Sequence, residues 1–352
     1  MNHHRKFLFK YFFLLFFLMC GLVAFNYSVD LQGIFRDDAG TYSTPPNLHF
    51  TKVRYLSRHP ERFDSFVFGS SRVGNIDVRN IPGGRWYNMT YSEGVPREHL
   101  LNIAYMLKSG IKIKNVLIGL DEFSYSINPD SHLNQISRMP YSPVVNQSEV
   151  SFYVNYLFRL PNVKVLGEHL KIHRGHSGNR LGVFKLSDTG QSETDTIDRL
   201  IEADRLKHVR DKKFLVPTHL HLIDTENMDG TLKDIHDLLK LAQQHDIKMI
   251  IFINPIHQVT YKDIDNNKFF VFKQRLAQIT SYYDFSGLHP YTCDNYYFYE
   301  TSHYRPIIGN KIIARIYGNS RDKEFGVLVN SGNIASHVRR QLAELDSTLP
   351  RL

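Results

Sequence analysis

Cysteine is scarce in this chain: two residues among 352, Cys20 and Cys293. One lies inside a long apolar run and the other near the opposite end, so they cannot staple the fold, and a small disulfide scaffold is excluded. Internal repeats and low-complexity tracts are missing too. So is a phosphate-cradling loop, because Gly83-Gly84 has no lysine and helix behind it. His169 and His173 stand four apart and His176 three further, but Leu170 occupies the place where a zincin needs glutamate, and His219-Leu220-His221 has no evident third ligand. No metal or cofactor is therefore assigned. The formal charge of +8 comes from 43 basic and 35 acidic residues that are interleaved. Without a dense basic stripe or a recognisable module, nucleic acid is not expected as a partner. Anionic lipid or an anionic glycan suits the balance as well.

What is present is material for a core, with 42% hydrophobic and 13% aromatic residues. A single stretch is long and apolar, Phe7 to Phe25, broken only by Lys10. At about 1.5 Å per residue it can just cross a hydrocarbon layer of about 30 Å. Arg5 and Lys6 precede it and Asp30, Asp37 and Asp38 follow, which leaves the body of the chain outside the cytoplasm. No clean small-x-small site follows the run, and Leu18 and Met19 are bulky for a lipoprotein site before Cys20. An uncleaved single-pass anchor in a bacterial cytoplasmic membrane is expected, with a cleaved signal peptide as the rival.

The chain then divides into a stub and anchor at 1–25, a juxtamembrane connector at 26–60, a main domain at 61–318 and a polar C-terminal tail at 319–352. Within the main domain, Ser65 to Gly69, Arg85 to Met89, Val116 to Leu120, Ile247 to Asn254 and Tyr282 to Phe285 have buried-strand character. Helical stripes lie between them, after Pro96, from Thr231 to His245 and from Phe269 to Ile279, and a closing helix begins at Pro306. Strand, helix, strand is the unit of a parallel sheet, so an α/β domain is expected. Residues 122 to about 215 break the rhythm and read as a mostly helical insertion over one edge of the site.

Gly69-Ser70-Ser71-Arg72 closes the first strand, as a strand does when it delivers a nucleophile into a tight turn. Ser71 needs a base, and His303 in Glu300-Thr301-Ser302-His303 is the candidate. Ser71, Asn88 with Gly94, Asp121 and His257 all follow strands, where an open parallel sheet places its ligands. Arg305 could meet an anionic substrate group or make a salt bridge, and His257 and His289 read as ordinary loop residues.

Taken in order, the Gly69-to-Arg72 block, Asn88 with Gly94, and the Glu300-to-His303 block resemble those of the SGNH, or GDSL-type, hydrolases over about residues 61–318. The resemblance runs toward membrane-anchored envelope members similar to alginate O-acetyltransferases and other glycan acylation proteins. It implies a three-layer α/β/α sandwich with a parallel sheet, Ser71 as nucleophile, His303 as general base and Glu300, where the family has aspartate, as the orienting acid. Asp294 is the reserve acid. The implied oxyanion hole is the Ser71 N–H, Gly94 and an asparagine, but Asp121 stands where that asparagine belongs. Asn88 would then donate instead, and Asp121 would support Arg72. The implied activity is acyl transfer to, or acyl removal from, an envelope polysaccharide, with a polytopic membrane acyltransferase as partner. A non-catalytic glycan-binding or scaffold component of an export complex is the alternative. Basic residues of the insertion, Lys171, Arg174 and Arg180, hint at an anionic glycan.

Overall fold

The computed structural model describes residues 3–36, 40–42, 45–173, 184–218, 227–318, 320 and 322–348. Its strands are β1 (Gly40–Tyr42), β2 (Ser65–Gly69), β3 (Trp86–Asn88), β4 (Asn115–Leu120), β5 (Phe184–Leu186), β6 (Lys248–Ile253), β7 (Tyr282–Asp284) and β8 (Val327–Val329). The helices are α1 (His3–Val29), α2 (Leu48–Arg58), α3 (Pro96–Lys108), α4 (Glu149–Leu157), α5 (Val163–His173), α6 (Asp195–Ala203) and α7 (Arg205–Val209). They continue as α8 (Met228–Gln244), α9 (Gln258–Asp263), α10 (Asn266–Ile279), α11 (Pro290–Cys293), α12 (Pro306–Ile316) and α13 (Ile334–Thr348).

Six strands form one sheet in the order β3-β2-β4-β6-β7-β8, parallel throughout except for the last pair. The five strands expected from sequence are all in it. Successive residues of a strand face opposite ways, and both sides of this sheet are apolar. Phe66, Phe68, Val116, Ile118, Ile251 and Ile253 join one core with buried residues of α3, α8 and α10. Val67, Leu117 and Phe252 join a second core with Ile308, Ile312 and Ile316 of α12. Unbroken apolar runs such as Val116 to Ile118 are what burial on both faces requires.

The segment expected as a connector is instead folded into the domain. In α2, Phe50, Val53 and Leu56 lie in the first core, and Lys52 is fully buried. Its ammonium donates to the carbonyls of Asn88, Thr90 and Gly190 at 2.8, 2.8 and 2.6 Å, which satisfies a charge that sequence pattern reads as surface. β1 pairs antiparallel with β5, tying this segment to the insertion.

The C-terminal part is likewise structural rather than a tail: β8 edges the sheet, and Ile334 and Val338 of α13 enter the first core. Lys273 of α10 holds α13 in place. Its ammonium is fully buried, donates to Ser286 Oγ at 2.6 Å and Gln341 Oε1 at 2.9 Å, and pairs with Asp284 Oδ2 at 3.0 Å. His337 Nε2 meets the same Asp284 oxygen at 2.8 Å. Burial pushes the Asp284 carboxyl up, but Lys273 and His337 outweigh it and hold it below the carboxylate range. Replacing one member strands its partner, so Lys273→Met is expected to lower stability by about 3 kcal/mol. Denaturant unfolding of the detergent-solubilised protein checks this; a change near zero would dismiss the network as structural.

α1 is 27 residues long, largely apolar, exposed from His4 to Gly21 and long enough to cross a membrane. It is not a loose tether. Asn26 Nδ2 donates to the carbonyls of Leu157 and Arg159, both at 2.8 Å, and Tyr156 OH donates to Asp30 Oδ1 at 2.9 Å.

Candidate active site

β2 ends at Gly69 with φ 152°, where a Cβ would lie 2.7 Å from the Gly119 carbonyl oxygen of β4. Only glycine lets the chain turn there. Ser71 then opens a short 3-10 helix, Ser71–Asn75, capped by Ser70, whose Oγ accepts from the Arg72 N–H at 3.3 Å. Ser71 is exposed, and its N–H belongs to the first turn, where backbone donors have no partner within the helix.

His303 stands just before α12 and meets Ser71 Oγ with Nε2 at 2.7 Å. The loop is pinched shut behind it, with the Tyr299 N–H donating to His303 O at 2.8 Å. Glu300 folds back on the same loop: its Oε1 is 2.5 Å from His303 Nδ1 and accepts the His303 N–H at 2.9 Å, and Oε2 accepts the Ser302 N–H at 2.7 Å. The extra methylene of glutamate is taken up by this tight turn. Burial pushes the Glu300 carboxyl up, but the His303 ring and the two backbone donors win and hold it at about 2. A carboxylate on Nδ1 leaves Nε2 free to accept from Ser71. Asp294 lies elsewhere, accepting from the Tyr296 N–H at 2.9 Å and pairing with Arg205 at 3.6 Å.

Arg72 points into the protein and is almost fully buried. Nη1 is 3.1 Å from Asp121 Oδ1 and also bonds Glu122 Oε2; Nη2 donates to Glu122 Oε1 at 2.7 Å and to Ser302 Oγ at 3.4 Å. One guanidinium thus joins the serine turn, the end of β4 and the histidine loop. Arg72 and Asp121 are supports, and neither is open to substrate. Burial pushes the Asp121 carboxyl up, with Arg72 pulling the other way. Asn254, at the end of β6, donates to Asp121 Oδ1 at 3.0 Å and accepts from Tyr304 OH at 3.0 Å. Sequence reasoning passed over Glu122 and Asn254. Their signals were an acidic pair at one strand end and a polar residue closing I-I-F-I.

Gly94 packs on the end of β2, where a Cβ would lie 2.7 Å from the Gly69 carbonyl oxygen. Asn88 does not face the serine as expected. It is fully buried, and its amide donates to the carbonyls of Val73 at 2.8 Å and Ile76 at 3.3 Å, holding the 3-10 turn from beneath. The loop before Gly94 is held by the insertion. Glu93 adopts a left-handed φ of 56° and is clasped by both Nη atoms of Arg138, at 2.5 and 2.7 Å. His132 lies between Glu93, at 3.5 Å, and Glu98, at 2.7 Å. Burial pushes the His132 imidazole down, but the two carboxylates outweigh it and raise it from 6.5 to about 9.

A raised folded pKa stabilises the protein in full below the unfolded value and is lost as pH rises through the folded one. The stability difference between wild type and His132→Gln is therefore expected to be largest near about pH 6, on the order of 2 to 3 kcal/mol, and to shrink toward about pH 10. Thermal unfolding across that range checks it. A difference that does not vary with pH would mean an uncharged His132.

Among the described residues of 122–215 stand the helices α4 to α7, short 3-10 turns and the strand β5, and α6 braces the histidine loop. Arg305 is buried and pairs with Asp198 at 2.6 Å and Glu202 at 2.8 Å of α6, so the guanidinium is not open to substrate. Tyr299 OH donates to Asp198 Oδ2 at 2.7 Å, and Thr218 Oγ1 donates to Glu300 Oε2 at 3.3 Å. His257 caps α9 and bonds Asn295, and His289 caps α11. Asp37, Asp38, Arg174, His176, Arg180 and His219 to His221 lie outside the described residues.

A cleft of about 700 Å3 runs from Asn26, Leu31 and Leu160 at the end of α1 to Arg138 and Ser92, two residues before Gly94. No protein-family model matches the chain, and no curated protein matches it.

Proposed function

We propose that this protein is a membrane-anchored serine esterase or O-acyltransferase of the SGNH kind, acting through an acyl-enzyme on Ser71. The observation that carries it is the unbroken relay Ser71 Oγ, His303 Nε2, His303 Nδ1, Glu300 Oε1, at 2.7 and 2.5 Å. The fold reading it rests on is the three-layer sandwich, supported by apolar cores on both faces of the sheet.

In the first step Ser71 Oγ attacks the acyl carbonyl carbon and its proton passes to His303 Nε2. Glu300 steadies the imidazolium, and the N–H groups of Ser71 and Gly94 receive the oxyanion. The leaving alkoxide takes the proton from His303. In the second step an acceptor hydroxyl gives its proton to His303 and attacks the ester carbonyl; the bond to Ser71 Oγ breaks, and His303 returns the proton to that oxygen. Water as acceptor makes an esterase, and a sugar hydroxyl makes a transferase. With the Asn88 amide bonded below the turn, the hole on this reading is the two backbone donors; the loss of one donor of this kind typically costs about 2.7 to 4 kcal/mol.

The substrate class is an ester-bearing envelope carbohydrate, on the outer side of a bacterial cytoplasmic membrane. Acyl groups would reach the site from a polytopic membrane acyltransferase, by analogy with related systems. The hydrogen bonds from Asn26 to the domain support an anchor that is retained. Labelling of the full-length protein with a fluorophosphonate is expected in wild type and absent in Ser71→Ala and His303→Ala. No labelling of folded wild type would favour the scaffold alternative.

A further inference from the structure

α4 carries Val150 and Val154 four residues apart, hence on one face, Phe158 at its C-cap follows four further on, and all three are exposed. Across the turn to α5, Leu160 is 79% and Val163 82% exposed. No core claims these five side chains. Their position is set by the end of α1, because Asn26 donates to the carbonyls on either side of Phe158. Phe35 cements the junction, its ring 4.9 Å from Tyr27 of α1 and 5.6 Å from Tyr153 of α4.

A hydrocarbon layer takes about 20 helical residues, which the stretch Phe7 to Phe25 fills. Asn26 then lies at the membrane boundary, and the turn bonded to it lies there too. Exposed Arg159 and Lys164 flank Leu160 and Val163, as cations flank the apolar face of interfacial helices beside anionic head groups.

We propose that α4 and the α4–α5 turn are a second membrane contact. Val150, Val154, Phe158, Leu160 and Val163 enter the lipid interface beside α1, and Arg159 and Lys164 sit at the level of the phosphates. The contact rests on the reading of α1 as a membrane span, and it fixes how the domain lies on the bilayer.

The test uses the full-length protein in bilayers of anionic phospholipid with acyl chains brominated or not. The chain's own tryptophan, Trp86, is buried, so wild type is the blank for single tryptophan substitutions. Leu160→Trp is expected to be quenched by brominated lipid about as strongly as Leu18→Trp within α1, and at least about twofold more than Leu215→Trp at an exposed position beside Phe214 of the second core. Quenching of Leu18→Trp without Leu160→Trp overturns the second contact and leaves the span. That is the result if another copy or another protein covers α4. Quenching of neither overturns the span and the contact together.

Discussion

Ser71→Ala is expected to lower turnover of a simple activated ester, such as p-nitrophenyl acetate, by roughly 10⁴- to 10⁶-fold, while the protein stays folded. Ser71 is exposed, and among the described residues its side chain is bonded to His303 alone, so losing one oxygen leaves no described buried group unpaired. Glu300→Gln is the companion. It keeps the shape and removes a charge held from about 2 upward, so under the proposed mechanism the imidazolium loses its counter-ion across the neutral range. A drop of roughly 10³- to 10⁴-fold is expected, because an amide can also hold His303 in the wrong tautomer. Stopped-flow or steady-state hydrolysis by full-length protein in detergent measures both. Turnover by Ser71→Ala equal to wild type would remove Ser71 from the mechanism.

Arg72→Ala should be the most damaging substitution for stability, costing about 3 to 5 kcal/mol. It leaves the Asp121 and Glu122 carboxylates buried side by side without a cation, and it cuts the link to Ser302 beside His303. Lysine is no substitute, since a point charge cannot reproduce a fork that reaches both acids. The triple variant Arg72→Met, Asp121→Asn, Glu122→Gln should recover much of the loss by removing the stranded charges with their partner. Chemical unfolding that placed Arg72→Ala within about 0.5 kcal/mol of wild type would show the cluster to be incidental.

The parts legible in the sequence are those whose signal is local. Val116 to Leu120 and Met249 to Ile253 announce central strands by apolar character, and Gly69-Ser70-Ser71 announces a turn. The relay from Ser71 to Glu300 was legible because three short blocks occur in order. Long-range partners hid the rest. His49, Lys52 and Arg54 make α2 look like surface, yet they are buried because distant carbonyls satisfy them, as those of Asn88 and Gly190 do for Lys52. β8 is three residues with an exposed centre and gains its place only by pairing with β7. Asn88 fitted the oxyanion by its position in the chain, but its amide turned toward Val73 and Ile76, a choice made by packing beneath the turn.

The two hydrogen bonds from Asn26 have a kinetic meaning. Under the function proposed above, a head hydrogen-bonded to its anchor would not swing through the space above the bilayer, and Ser71 would meet reactants at a fixed height while the protein drifts sideways. The cleft lined by Asn26, Arg138 and Ser92 lies against the same junction. The search becomes two-dimensional, and the concentration that governs encounter is molecules per unit area of membrane, not molecules per litre.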